Sequence, residues 1–312
     1  MKRIIGLMIV LTAQMALASG LTIGNDALER TLSVEGGVLK TVSIENKVAK
    51  ITATPTACDE FHLRISKGTH ITGTDVDLTA ADFKVIGSIV GADGIAVRLE
   101  NAKHGLKVTV RYTITPDAPW MNKTLEITPK NDVCLERIDV EQISFADAHQ
   151  PYRLKEITSA ARGRWSPGLG QPLYTTKSAT FWGIEFPAAY NSVTKTQMSC
   201  GYLWGRTVKA GATYTTYPAV VGVGDDGKFI QDTFFEYINA IRVRPLRLQI
   251  QYNSWFDYHR DVSRESFLAS VNKVHSELVE TRGNKPLKAY VIDDGWQDVN
   301  ASWKDKVWPV NE

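Results

Sequence analysis

Between Arg30 and Ile127 the chain is a succession of short segments that alternate apolar and polar residues or carry β-branched ones. The stretches from Arg30 to Val34, Leu39 to Ile44, Ala96 to Leu99, Leu106 to Ile114 and Lys123 to Ile127 are of this kind. A period of two turns one side of each segment toward a core and the other outward. Turn residues punctuate them: Gly36-Gly37, Asn46-Lys47, Gly91-Ala92-Asp93-Gly94, Pro116-Asp117 and Asn131-Asp132. Many short strands at regular spacing, with no good helix among them, specify a large antiparallel β-sandwich. Packing alone accounts for these strands, and no active-site constellation stands out among them.

The texture changes twice further on. From Ala161 to Gly205, Arg162, Trp165, Trp182 and Trp204 lie among Gly168, Gly170 and Pro172, with Arg206 just beyond. Tryptophans in Gly/Pro-rich connections suit a ligand-facing rim; they equally suit a seal between domains. Phe181 to Phe186 reads as a strand here. Then Phe229, Ile230, Phe234, Tyr237, Ile238 and Ile241 recur at helical spacing, which predicts a helix over 228–243. Arg244-Pro245 ends it, because a residue before proline avoids helical geometry. Arg242, Arg244 and Arg247 sit at this boundary and read as a solvated linker.

A different pattern begins at Leu248. Leu248 to Phe256 reads as a strand with a polar, aromatic end. Ser263 is a helix N-cap, with Glu265 in the first turn. Phe267, Val271, Val274 and Leu278 form one apolar stripe, and Arg282-Gly283 fits a C-terminal cap. Tyr290-Val291-Ile292 is a second strand, stopped by Asp293-Asp294-Gly295-Trp296-Gln297. Strand, helix, strand makes one right-handed βαβ unit, the opening of an α/β barrel with its site at the C-terminal strand ends. A closed barrel takes about 250 residues. The sequence ends at Glu312, so the expectation is a barrel that is only begun.

The two strand ends carry a chemistry. Trp255 and Trp296 offer flat apolar faces, Asp293 and Asp294 offer hydrogen-bond acceptors, and Gly295 permits a turn and a close backbone approach. A sugar ring, with apolar C–H patches and donating hydroxyls, wants that combination. Asp-Asp-Gly is also an ordinary turn, and a tryptophan after a strand is often core.

Other classes are excluded or unsupported. Lys plus Arg number 36 against 34 Asp plus Glu, a net charge of +2 that gives no reason to expect nucleic acid or an anionic membrane. Met1 to Ala18 reads as a secretory signal peptide, with Lys2 and Arg3, an apolar run, and Ala16-Leu17-Ala18 before the cleavage point. A secreted or periplasmic protein without a membrane span after cleavage is expected. Cys58, Cys134 and Cys200 have no metal-type spacing, and the compartment would permit one disulfide of unspecified pairing. Asn122-Lys123-Thr124 is a glycosylation sequon. No metal or cofactor is expected.

Ile292-Asp293-Asp294-Gly295-Trp296-Gln297 resembles the second barrel strand of glycoside hydrolase family 36, the family of α-galactosidases, α-N-acetylgalactosaminidases and raffinose synthase relatives. Asn253-Ser254-Trp255 is similar to its first barrel strand, and Trp182-Gly183-Ile184-Glu185-Phe186-Pro187 to a segment of its N-terminal β-supersandwich. After the signal peptide (1–18), the resemblance implies a β-supersandwich (19–227), a linking helix (228–247) and the start of a (β/α)8 catalytic barrel (248–312). It implies a retaining glycosidase acting on an oligosaccharide or glycan with α-linked galactose or N-acetylgalactosamine. Asp293 and Asp294 inherit the binding of sugar hydroxyls, Trp255 a place in the pocket wall, and Trp296 and Trp182 join them as candidate substrate contacts. The nucleophile and acid/base would be two further aspartates on later strands, so that no catalytic residue is assigned within 312 residues and this chain alone is expected to be inactive. The alternatives are a non-catalytic carbohydrate-binding β-sandwich module using Trp165, Trp182 and Trp204, and a calcium-dependent α-glucosidase, against which the Asp-Asp-Gly-Trp-Gln string argues.

Overall fold

The computed structural model describes residues 20–67, 75–91, 94–146, 149, 151–152 and 170–296. The segment 1–18, Arg162, Trp165, Gly168 and Gln297 lie outside them. The chain divides into two units, Met1–Ile241 and Arg242–Glu312.

The first unit is the expected β-rich architecture. Its described strands form antiparallel sheets of four, eight and five strands. Alternation is a good guide where a strand has one wet face. Leu106–Ile114 and Trp120–Pro129 pair in register from Pro129 opposite Leu106 to Met121 opposite Ile114. Every second residue of Trp120–Pro129 is buried. One continuous core, from Leu21 to Val223, takes side chains from all three sheets.

The strand Val133–Phe145 goes unpredicted by alternation. It is central to the five-stranded sheet, pairing with both Gln197–Val208 and Pro55–Lys67. It is buried along almost its whole length, although it carries Glu136, Asp139, Glu141 and Gln142. Those groups are tolerated because they are partnered.

Glu141 belongs to an ionic network that packing alone does not explain. Arg30 Nη1 donates to Glu141 Oε2 at 2.7 Å and Arg30 Nη2 to Glu60 Oε2 at 3.1 Å. Lys123 Nζ donates to Glu60 Oε2 and to Glu141 Oε1, each at 3.1 Å, and to the Glu60 carbonyl at 2.7 Å. The Thr41 and Tyr112 hydroxyls donate to Glu60 Oε1 at 2.7 and 2.6 Å. Arg30 and Thr41 come from the four-stranded sheet, Glu60 and Glu141 from the five-stranded, Tyr112 and Lys123 from the eight-stranded. Two cations and two anions, all buried, thus balance at the junction of all three sheets. Glu60 reaches this position from a left-handed backbone (φ 60°) at an irregularity in its strand.

Burial by itself would raise the Glu60 carboxyl, but Lys123 and Arg30 beside it, with the Tyr112 and Thr41 hydroxyls, bring it down to about 2. A folded value below the unfolded one, about 4.3, stabilises fully above that unfolded value. The contribution is lost as pH falls through the folded one. Acid unfolding of the sandwich, followed by circular dichroism, is therefore expected between about pH 4 and pH 2. A Glu60→Gln variant should show a flatter profile there, and an unchanged one would remove Glu60 as the cause.

The predicted helix is present as Ile230–Ile241, after a short turn Gly227–Phe229. It belongs to the same compact unit as the sandwich and ends at that unit's last residue, Ile241. Ile230 and Tyr237 are buried with Phe181, Tyr174 and Val220 of the eight-stranded sheet. Phe181 meets the rings of Phe234 and Tyr237 at 5.4 and 5.5 Å.

In the second unit, Gln251–Asn253 and Ala289–Val291 pair in parallel, with Asn253 opposite Val291. The crossover helix Arg264–Val274 starts at Ser263, whose side chain and that of Ser266 cap each other's backbone N–H. The helix continues as a π-helical turn, His275–Thr281. Phe267, Val271, Val274 and Leu278 are all half-buried, as one stripe requires. The first strand, Gln251–Asn253, is shorter at both ends than its sequence pattern predicts; at its C-terminal end Trp255–Tyr258 turns into a short helix directly after it. No helix among the described residues is long and apolar enough to cross a membrane.

Candidate functional site

Asn253 and Val291 are the last paired residues of the parallel strands, and the site is built on the residues just beyond them. Ser254 is fully buried and clamps the two exits together. Its N–H donates to the Val291 carbonyl at 3.0 Å, and its Oγ accepts from Asp293 N at 3.0 Å. Asn253 holds both sides: its Oδ1 accepts from Trp255 N and its Nδ2 donates to Asp293 Oδ2, each at 2.8 Å. The Asp294 N–H then closes back on Asp293 Oδ1 at 2.7 Å, fixing the first carboxylate.

Asp294 is fixed differently. Arg260 Nε donates to its Oδ2 at 2.8 Å, and Gly295 N to its Oδ1 at 3.1 Å. Gly295 is buried with φ at +109°, where an L side chain is strained. A Cβ there would lie 2.5 Å from the Arg260 carbonyl oxygen and 2.7 Å from its Cα. Only glycine lets the two loops approach. Trp296 comes next, 41% exposed, and Trp255 is half-buried with its ring 5.2 Å from His259.

Two carboxylates, two indoles, an amide and a guanidinium are therefore gathered at one end of a parallel strand pair. An ionised carboxylate has about four acceptor positions; Asp293 uses two of them on Asn253 and Asp294. Such a set can accept hydroxyl donors while an indole covers an apolar ring face. Adjacent carboxylates in one turn approach a bound sugar from one side. A retaining pair must flank the scissile bond from both, about 5 Å apart, so these two suit grip and not bond cleavage. No metal-holding group of His, Cys, Asp or Glu occurs among the described residues.

Trp182, expected as a ligand contact, is corrected by its location. It is 1% exposed in the sandwich core, in a strand whose five residues are all buried. Its Nε1 donates to Thr180 Oγ1 at 3.0 Å and its ring packs 5.9 Å from Phe145, so it has no face left for a ligand. Trp204 is half-buried and tilts onto Tyr214 at 4.1 Å. The three cysteines are free thiols. Asn122 of the sequon sits within a strand, its Nδ2 donating to Glu185 Oε1 at 2.8 Å. Asn253, Ser254 and Arg260 join the site without having been expected in it. Asn253 carries a signal, as the polar end of a strand; Arg260, in an exposed loop, carries none.

No family model matches the chain, and no curated protein matches it. Solved structures do match in fold. A variant of the GH36 alpha-galactosidase AgaA from Geobacillus stearothermophilus, in complex with 1-deoxygalactonojirimycin, superposes with a TM-score of 0.56 at 14% identity over 94% of this chain and 52% of that one. GH36 alpha-galactosidase AgaB from the same organism gives 0.54 at 12% over 92% and 51%. The galactosidase domain of the alpha-galactosidase-sucrose kinase AgaSK gives 0.54 at 12% over 90% and 51%. The chain shares its fold with these enzymes and spans about half of their length.

Proposed function

We propose that the chain is the N-terminal part of a secreted, retaining glycoside hydrolase of the α-galactosidase type, acting on α-linked galactose or N-acetylgalactosamine. One observation carries the reading: Asp293 and Asp294 stand side by side at the C-terminal end of a parallel strand pair, fixed by Asn253 and Arg260 and flanked by Trp255 and Trp296. The fold shared with GH36 alpha-galactosidases supports it, as does the secretory pattern of residues 1–18. In this reading the two aspartates accept from a pair of sugar hydroxyls, and an indole lies along the apolar face of the ring. The nucleophile and the acid/base come from barrel strands beyond residue 312. The carbohydrate-module alternative loses Trp182, which is buried.

The test uses purified 312-residue protein. Aryl α-galactosides and aryl α-N-acetylgalactosaminides should be hydrolysed no faster than the buffer blank, and enzyme-like turnover would end the reading. Saturation-transfer NMR with methyl α-galactoside should detect weak binding. Hydrogen bonds to charged groups are worth about 1.5–3 kcal/mol each. Asp293→Asn and Asp294→Asn should therefore each weaken binding by roughly 10-fold or more. A signal that survives both substitutions would remove them as the clamp.

A further inference from the structure

A second constellation lies in the sandwich unit, on the five-stranded sheet. His62 bridges two carboxylates: its Nδ1 is 2.9 Å from Asp139 Oδ2 and its Nε2 is 2.8 Å from Asp77 Oδ1. Ionised carboxylates only accept, so both ring nitrogens must carry a proton for both bonds to form. The geometry is that of an imidazolium.

The surroundings fix which end is firm. Asp139 is fully buried on the central strand Val133–Phe145, and Arg137 grips it with Nε to Oδ2 at 2.8 Å and Nη2 to Oδ1 at 3.0 Å. On the neighbouring strand the residue opposite Asp139 is Gly201, which brings no charge; a Cβ there would collide with Asp139. Asp77 is half-exposed on Val76–Thr79, held by Arg64 with Nε at 2.9 Å and Nη2 at 3.1 Å, and Asp75 acts on that arginine from just before the strand. Among the described residues, Val76–Thr79 is an edge strand with Pro55–Lys67 as its one neighbour in the sheet. Asp77 also lines a cleft of about 430 Å³, with Asp82, Lys84, Glu100, Lys103 and His104.

We propose that His62 is a pH-sensitive clasp that secures the edge strand Val76–Thr79, and with it one wall of this cleft, only while the imidazole is doubly protonated. On loss of a proton the remaining N–H stays on Nδ1, against the buried and doubly gripped Asp139. The Nε2 lone pair then faces the Asp77 carboxylate and repels it, leaving Asp77 to Arg64 alone. The hydrogen bond to Asp139, more than burial opposes, raises the imidazole above its ordinary value of about 6.5. A raised folded value means that the clasp is complete below pH 6.5 and is lost as pH rises through that raised value. The cleft wall is therefore tight below that range and slackens as pH rises through it.

Two measurements on the full chain test this. Long-range ¹H–¹⁵N NMR of His62 should show both nitrogens protonated at pH 6 and a titration midpoint above about 6.5. Amide exchange of Val76–Thr79, corrected for its intrinsic pH dependence, should lose at least tenfold in protection across the same midpoint. Asp77→Asn, a half-exposed site, should lower the midpoint and abolish the step. A His62 midpoint at or below the ordinary value overturns the proposal. So does protection of Val76–Thr79 that changes no more than that of Leu106–Ile114, or a step that persists in Asp77→Asn.

Discussion

Lys123→Met will lower the unfolding free energy by about 3–5 kcal/mol, the cost of leaving a buried charge without its partner. Lys123 uses all three of its protons, on the Glu60 carbonyl, Glu60 Oε2 and Glu141 Oε1. Methionine fills similar space and donates nothing. Arg30 then faces two buried carboxylates alone, and the cluster carries an uncompensated negative charge. Denaturant unfolding of the chain reads the loss. The double variant Lys123→Met/Glu141→Gln restores neutrality and should recover part of it. A single variant within about 0.5 kcal/mol of the parent would mean that the network is energetically idle.

Gly295→Ala will be the most damaging small change at the candidate site. The left-handed conformation at Gly295 costs an L residue about 1–3 kcal/mol. The new Cβ also needs space held by the Arg260 carbonyl and Cα, at 2.5 and 2.7 Å. Backbone cannot swing aside as a flexible side chain can, so the loops must part and the Arg260–Asp294 contact with them. Amide protection at Ala289–Val291 should fall at least tenfold, and the methyl α-galactoside signal should vanish while the sandwich unit stays intact. Unchanged protection and unchanged sugar contact would show that the close approach is not needed.

These two sites differ in how far the sequence discloses them. The Asp293 turn is legible because its determinants are local: a β-branched run, two carboxylates and a glycine within a few residues. The Ser263 cap, the crossover helix and the helix Ile230–Ile241 are legible for the same reason. The ionic network is not. Arg30 and Glu141 are 111 positions apart, and a lone arginine or glutamate in an alternating segment reads as a solvent-facing residue. The same blindness hides Val133–Phe145, whose acidic residues look wet until Arg137, His62, Arg30 and Lys123 are seen beside them. Trp182 misleads for the converse reason. Glycines and prolines near it in sequence suggest a rim, while its own strand lies in the core. Arg260 is the Asp294 partner only because a loop brings it there.

The spread of the network also orders events during synthesis. Arg30, Thr41 and Glu60 are made early, Tyr112 and Lys123 later, and Glu141 last of the six. Until the strand Val133–Phe145 leaves the ribosome, no hairpin already made can bury its charges with a full set of partners. At about 5–20 residues per second, the 111 positions between Arg30 and Glu141 take on the order of ten seconds to make, so the first charge of the network waits that long for its last partner.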